Sequence, residues 1–284
     1  MTPSIRSPLP YGLAGPAALV MLGFVVVPLL MTLSLSLYGT ASNGVTHLSA
    51  TQYSQVFGDA YYQHIYLRTA GLAAIVTFLC ILIGVPEAYV LASLSKRWRA
   101  VSMFIVLGPL LMSVVVRTLG WAVLFGNEGI VNRTLLALHI IDNPITMMFT
   151  FTGVVIALVH VQVPFMVLAV WTSLQKTDPA AESAAETLGA ASVTVLRRIV
   201  LPQVIPGVLS GSLIVFALTA SAFATPAIIG GRRLKVVSTT IYDEILGNLN
   251  WPLGTALAVV LMVAVFATSI AVGRFVERRY KQVF

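Results

Sequence analysis

The chain has 284 residues, of which 58% are hydrophobic and only 10% are charged, and its mean hydropathy is +0.93. Soluble domains carry about 25% charged residues, so this composition excludes a water-soluble protein and indicates an integral membrane protein. The net charge of +7 comes largely from basic residues in short segments between apolar runs. That placement is typical of membrane orientation rather than of nucleic-acid binding.

Six apolar runs predict six membrane-spanning helices, because about 20 apolar residues cross the hydrocarbon core. The first run is about twice as long as the apolar region of a signal peptide, so it is predicted to remain as a helix. The predicted fold is an all-α membrane protein with a single transmembrane domain over residues 1–284. The predicted spans cover residues 11–37, 69–94, 100–125, 145–174, 204–229 and 251–273.

The distribution of Lys and Arg predicts that both termini are cytoplasmic. Eleven basic residues lie on the side of the termini and four lie on the opposite side, and cytoplasmic loops are enriched in Lys and Arg. The inner set is Arg6, Lys96, Arg97, Arg99, Lys176, Arg197, Arg198, Arg274, Arg278, Arg279 and Lys281. The outer set is Arg133, Arg232, Arg233 and Lys235.

Two features are predicted to lie at membrane interfaces. Residues 126–144 predict a short interfacial helix on the outer side, with Leu135, Leu136 and Leu138 inside it. Trp121, Trp171 and Trp251 lie near the ends of spans, where aromatic side chains form interfacial belts.

The connection between the fourth and fifth spans, residues 175–203, is too polar for a span and too regular for a linker. Asp178 is suited to cap a helix whose first position is Pro179. Gly189 is predicted to end this helix, in a left-handed conformation or where another backbone comes close. Ser192 is predicted to cap a second short helix. One face of the first helix presents Ala181, Ala184, Ala185 and Leu188.

At these residues the sequence resembles the permease subunits of ATP-binding-cassette (ABC) importers. Their loop reads E-A-A, three residues, G, nine residues, I-x-L-P. Ser183 stands at the position of the usual glutamate, and the adjacent Glu182 points about 100° away around the helix. The matching residues are Ala184, Ala185, Gly189, Ile199, Leu201 and Pro202.

The resemblance implies a type I importer architecture in which this loop is the coupling helix that docks on an ATPase subunit. The docking residues that it implies are Ala181, Glu182, Ser183, Ala184, Ala185, Leu188, Gly189, Ile199, Leu201 and Pro202. The other partners that it implies are a second permease subunit, identical or homologous, and an extracytoplasmic solute-binding protein. The resemblance also implies that the protein is located in a bacterial inner membrane, with the lipid bilayer around the spans.

Three further stretches resemble permeases of the spermidine/putrescine type. They are VVVRTLGWAVLFGNEGIVNRTLLAL from Val114, SAFATPAIIGG from Ser221 and NWPLGTALA from Asn250. The resemblance implies half of a translocation pathway for a polyamine. Importers of ferric iron, opines or aminophosphonates are similar in these stretches and remain alternatives.

The chain is not expected to be an enzyme by itself. It has no G-x-x-x-x-G-K-[ST] loop for nucleotide phosphates, no cluster with metal-ligand spacing, and a single cysteine, Cys80. We therefore expect no cofactor on this chain, and we expect ATP and Mg²⁺ to be used by a partner ATPase. An ion-coupled secondary transporter is the rival class, and it predicts more intramembrane acids than Glu87. A membrane scaffold would leave Glu87 and Arg117 unexplained.

Four polar residues inside the spans are candidates for the translocation pathway: Glu87, Arg117, His160 and Gln162. A charge at the bilayer centre costs about 2.5–3.5 kcal/mol on insertion scales, so these side chains are expected to face protein or water. Glu87 is placed near the inner face and Arg117 toward the outer face, too far apart to pair. For Arg117 we favour anchoring of the third helix. For His160 and Gln162, interhelical hydrogen bonding is the competing interpretation.

One sequence motif predicts close helix packing. Gly207 and Gly211 form G-x-x-x-G in the fifth span, a spacing that lets two helices approach closely.

Overall fold

Long apolar helices make up most of the computed structural model, which describes residues 9–40, 46–176, 180, 184–185 and 187–279. Six helical segments of this part are long and apolar enough to cross a membrane, as the sequence predicts. They are Ala18–Ser36, Ala60–Ser93, Val114–Ala137, Phe151–Leu174, Arg197–Ala220 and Trp251–Val276. The predicted all-α class is confirmed, with one small two-stranded ribbon added to it.

The helices follow one another with short connections. We number them α1 (Leu9–Ser36), α2 (Thr51–Gly58), α3 (Ala60–Ser93), α4 (Lys96–Leu111), α5 (Val114–Phe125), α6 (Ile130–Ala137), α7 (Phe151–Leu174), α8 (Ser192–Val195), α9 (Leu201–Ala220), α10 (Val237–Tyr242) and α11 (Trp251–Arg279). Single turns of π-helix cover Leu196–Val200, Pro226–Gly230 and Asp243–Gly247, and Gly231–Arg233 is a 3₁₀ turn.

The described residues 9–40 and 46–60 pack among themselves and with residues 241–261. Strands β1 (Tyr38–Thr40) and β2 (Thr46–Leu48) pair antiparallel after α1, with Tyr38 opposite Leu48. The hydroxyl of Ser36 is hydrogen-bonded to that of Tyr53 at 2.7 Å. Most apolar side chains of α1 are exposed, including Phe24 at 79%, as expected of a helix whose solvent is lipid or another subunit.

Residues 61–240 and 262–279 form the second set that packs among itself. Its core lies where α3 meets α7, with fully buried side chains such as Val76, Leu158 and Val167. The Cys80 thiol on α3 lies 3.9 Å from the carbonyl oxygen of Val159 on α7.

The G-x-x-x-G motif packs α9 against α7, so the predicted close helix packing is confirmed. A β-carbon added at Gly207 would lie 2.5 Å from the Ser173 β-carbon and 2.7 Å from the Ala169 carbonyl oxygen. At Gly211 it would lie 2.8 Å from the Met166 sulfur. Only glycine allows the two backbones this separation.

The prediction of one continuous third span over residues 100–125 is wrong. The backbone is extended at Met112 and Ser113, which separates α4 from α5. In a continuous helix the amide of Ser113 would bond to the carbonyl of Pro109, four residues earlier. Here the guanidinium of Arg117 donates to that carbonyl instead. The break is therefore stable because a side chain replaces the missing backbone donor.

The fifth predicted span, residues 204–229, is too long at its outer end. Helix α9 ends at Ala220, and a separate π turn follows at Pro226–Gly230. Pro226 has no amide hydrogen to bond to the carbonyl of Ala222, and that carbonyl accepts from the Ser238 hydroxyl at 2.5 Å.

The remaining predicted boundaries shift less. The helix of the second span, α3, begins at Ala60, nine residues before the predicted 69–94. The helix of the fourth span, α7, begins at Phe151 rather than at residue 145. The helix of the sixth span, α11, continues to Arg279, beyond the predicted 251–273. The short helix predicted within residues 126–144 is present as α6, although Leu138 lies just past its end, and its interfacial position stays a prediction.

Candidate functional site

The connection between α7 and α9 contains a helical turn that ends at Gly189. The amide of Leu188 bonds to the carbonyl of Ala184 at 3.1 Å, and the amide of Ala190 bonds to that of Ala185 at 3.0 Å. Gly189 between them has φ +81°. A six-to-one bond around a left-handed glycine is the Schellman helix end. The predicted left-handed conformation of Gly189 is confirmed, and no atom lies within 4 Å of a β-carbon added there.

The turn presents an apolar surface to the outside. Leu188 is 88% exposed and Ala184 is exposed, whereas Ala185 packs partly against the core. Leu188 and Ala184 are therefore both available for contact with another chain. Three of the predicted docking residues, Ala181, Glu182 and Ser183, lie outside the described residues, as do Asp178, Pro179 and Glu186.

The second half of the connection is anchored to the core. Helix α8 begins at Ser192, and the amide of Val195 bonds to the carbonyl of Ala191, so Ala191 rather than Ser192 occupies the cap position. Val195 and Val200 are each 2% exposed. Ile199 is half-buried and packs against the same core, and Leu201 and Pro202 open α9. The segment between the exposed turn and α9 is therefore packed against the core.

Arg117 is a structural anchor in this fold. Its side chain is only 6% exposed and bonds to the carbonyl of Pro109 across the helix break. Thr118, the next residue, is also buried, and its hydroxyl lies 3.3 Å from that of Thr225. This threonine pair ties α5 to the segment after α9, and no sequence pattern pointed to it. The two residues join the break in the third span to the outer end of the fifth.

His160 is held by Trp121. The indole nitrogen of Trp121 donates to Nδ1 of His160 at 3.2 Å, and the two rings meet edge to face with centroids 5.3 Å apart. Phe125 extends the cluster, with its ring centroid 4.9 Å from that of Trp121. The polar edge of the Trp121 indole is thus used within the protein, and its place in an interfacial belt stays a prediction. Only the packing of α5 against α7 brings the pair together.

Gln162 and Glu87 differ in their surroundings. Gln162 is 4% exposed, and its Oε1 has no hydrogen-bond partner among the described residues. Glu87 is half-buried on α3, about 10 Å beyond Cys80 at 1.5 Å per residue. In the described part of the chain Glu87 forms no ion pair with Arg117, as expected from their predicted depths.

Six apolar helices, with a rigid exposed turn between the fourth and the fifth, define a multi-pass membrane transport component. Comparison with known families agrees: the chain belongs to the family described as binding-protein-dependent transport system inner membrane component, which matches residues 84–282. The family predicted from the loop motif is thereby confirmed. The chain is a multi-pass inner-membrane transport subunit.

Individual relatives share most of the chain. It is 31% identical to the spermidine/putrescine transport system permease protein PotB of Haemophilus influenzae over 242 residues, which is 84% of each chain. It is 32% identical to the molybdenum transport system permease protein ModB of Mycobacterium tuberculosis over 207 residues, 73% of this chain and 76% of that one. A chain of a bacterial alginate ABC transporter, solved with an alginate-bound periplasmic protein, has the same fold, with a TM-score of 0.80, 17% identity and coverage of 96% and 95%.

Proposed function

We propose that this protein is the membrane-spanning permease subunit of an ATP-driven polyamine importer and forms half of its translocation pathway. The observation that carries the proposal is the 31% identity to a spermidine/putrescine permease over 84% of both chains. Importers of ferric iron, opines or aminophosphonates remain the alternatives from the sequence, and the 32% identity to a molybdenum permease over 73% of this chain adds molybdate as a further substrate to test.

The turn ending at Gly189 is proposed as the surface that docks on an ATPase subunit. Exposed Leu188 and Ala184 offer an apolar contact without long side chains, so a partner backbone can approach closely. The Schellman end keeps the turn rigid, and buried Val195 and Val200 transmit its displacement to α9. ATP and Mg²⁺ are then bound by the ATPase partner, and the permease converts its closure into rocking of helices.

A second permease subunit is proposed to complete the pathway. The exposed apolar side chains of α1 and α5 are suited to contact either lipid or another spanning subunit. An extracytoplasmic solute-binding protein would deliver substrate on the side of the membrane opposite to the turn that ends at Gly189. The excess of basic residues on one side supports a cytoplasmic position for that turn and for both termini.

Within the spans, acceptor groups suit a substrate that carries ammonium groups. The free Oε1 of Gln162 and the carboxylate of Glu87 can accept hydrogen bonds from such groups, and the Trp121–His160 pair offers aromatic faces for cation–π contact. Arg117 is not assigned to the substrate, because its guanidinium is occupied at Pro109 and repels cations.

Uptake measurements test the substrate. A strain lacking this chain should lose high-affinity uptake of labelled spermidine or putrescine and regain it with the wild-type gene. Gln162→Leu should lower polyamine uptake at equal membrane abundance, whereas Arg278→Ala, on the exposed end of α11, should not. Unchanged polyamine uptake with loss of molybdate or iron uptake would reject the polyamine assignment.

A further inference from the structure

An apolar groove of about 820 Å³ runs between α3, α9 and the end of α11. Its volume lies within the range of about 300–1,000 Å³ that is typical of small-molecule sites. The walls include Leu82 and Pro86 of α3, Ile205 and Leu209 of α9, and Val272 and Val276 of α11. None of these side chains is part of the turn that ends at Gly189 or of the Trp121–His160 cluster.

The groove is longer than the hydrocarbon depth of one lipid leaflet. Its wall on the fifth span extends from Arg197 to Ser212, which is about 22 Å along the helix axis at about 1.5 Å per residue. Half of a hydrocarbon core of about 30 Å is about 15 Å. An acyl chain lying along α9 would therefore be covered over its whole depth in that leaflet.

One end of the groove carries a cation. Arg197 lies in the π turn that precedes α9, and it is the first residue of the fifth candidate span. Its side chain is exposed, and its guanidinium forms no hydrogen bond or ion pair with the residues that the structure describes. At the opposite end the hydroxyl of Ser212 is satisfied by the Val208 carbonyl at 2.6 Å. The groove is thus basic at its mouth and apolar beyond it.

The π turn places the cation there. Pro202 has no amide hydrogen for the carbonyl of Arg198, so a regular α-helix cannot continue through this point. The chain inserts one wide turn before α9, and π turns occur often at functional sites. Arg197 is thereby directed along the groove that the helix behind it lines.

We propose that this groove binds an anionic glycerophospholipid, with one acyl chain along α9 and the phosphate on Arg197. A guanidinium forms charge-assisted hydrogen bonds with phosphate oxygens, and basic pockets between spanning helices on the cytoplasmic side bind anionic headgroups. A helix of another subunit would leave this arginine unpaired unless that helix supplied an acceptor of its own. The proposal does not depend on which solute is transported.

Native mass spectrometry of the full-length chain, purified with the subunits that accompany it, tests the site. Equal amounts of phosphatidylglycerol and phosphatidylcholine are added, and the lipid retained per protein is measured. We expect selective retention of phosphatidylglycerol and a roughly tenfold weaker retention in Arg197→Gln, equivalent to about 1.4 kcal/mol. Ile205→Trp, which fills the groove without changing charge, should also lose the lipid.

Arg274→Gln is the matched control, because Arg274 is exposed on α11 but does not line the groove. It should retain phosphatidylglycerol like the wild type. Equal loss in the two arginine variants, or equal retention of both lipids by the wild type, would overturn the proposal. So would release of a partner subunit by Ile205→Trp with no lipid retained by the wild type, since a protein helix would then cover the groove.

Discussion

The contact between α7 and α9 predicts a measurable cost for adding one methyl group at Gly207. The new β-carbon would lie 2.5 Å from the Ser173 β-carbon, 2.7 Å from the Ala169 carbonyl oxygen and 3.1 Å from the Val170 α-carbon. All three atoms belong to α7, and two of them are backbone. No side-chain rotation relieves the overlap, so Gly207→Ala must push the two helices apart.

The magnitude follows from two opposing effects. Overpacking a tight contact costs about 1–3 kcal/mol, and the rigid backbone here places the cost near the upper end. Alanine regains about 0.5–1 kcal/mol over glycine within a helix. The expected net loss is about 2 kcal/mol. At about 2–4 °C per kcal/mol for a chain of 150–250 residues, the midpoint of thermal unfolding should fall by about 4–8 °C.

The single cysteine provides the assay. Cys80 is fully buried on α3 against α7, so a thiol-reactive dye reports when this core opens on heating. Gly71→Ala is the matched control, because nothing lies within 4 Å of the added carbon, and its midpoint should be unchanged or slightly raised. Gly211→Ala should be intermediate, since the Met166 thioether that it meets at 2.8 Å can rotate away.

Equal unfolding midpoints for Gly207→Ala and Gly71→Ala would refute this reasoning. The α7–α9 separation would then be larger in solution than the structure has it, and the G-x-x-x-G motif would not control the packing of these spans.

Three other variants test separate parts of the structure. Asn132→Ala should lower stability by about 2 kcal/mol, read by the same dye assay, because the buried amide bonds to the backbone of Ile145 in both directions, at 2.8 and 3.0 Å; an unchanged midpoint would contradict this. Gly189→Val should insert normally but lose most transport and ATPase co-purification, because a β-branched residue is strained at φ +81°. Arg278→Ala is the control and should keep both. Full transport by the valine variant would mean that the loop is not the transmission element. Arg233→Cys should react with an impermeant thiol reagent in intact cells, and reaction only after permeabilisation would reverse the topology.

The sequence by itself determined the number of spans, the family and the end of the helical turn at Gly189. Each depends on local information. About 20 apolar residues make a span whatever surrounds them, and a glycine before a new helix start favours a left-handed helix end in almost any context. The spacing of Gly207 and Gly211 likewise predicts close helix packing, although it does not identify α7 as the partner helix.

Only the tertiary structure decided where the third span breaks and what holds its polar side chains. An apolar run reads the same whether its backbone is continuous or interrupted, because hydropathy records composition and not hydrogen bonds. The break after Leu111 depends on Arg117 reaching the carbonyl of Pro109, and the position of His160 depends on Trp121 from another helix. The groove beside Arg197 likewise exists only where three helices meet. The Trp121–His160 contact and the groove depend on the packing of segments distant in sequence, and the Arg117–Pro109 bond, although its partners are only eight residues apart, depends on the path of the backbone between them, which hydropathy does not record.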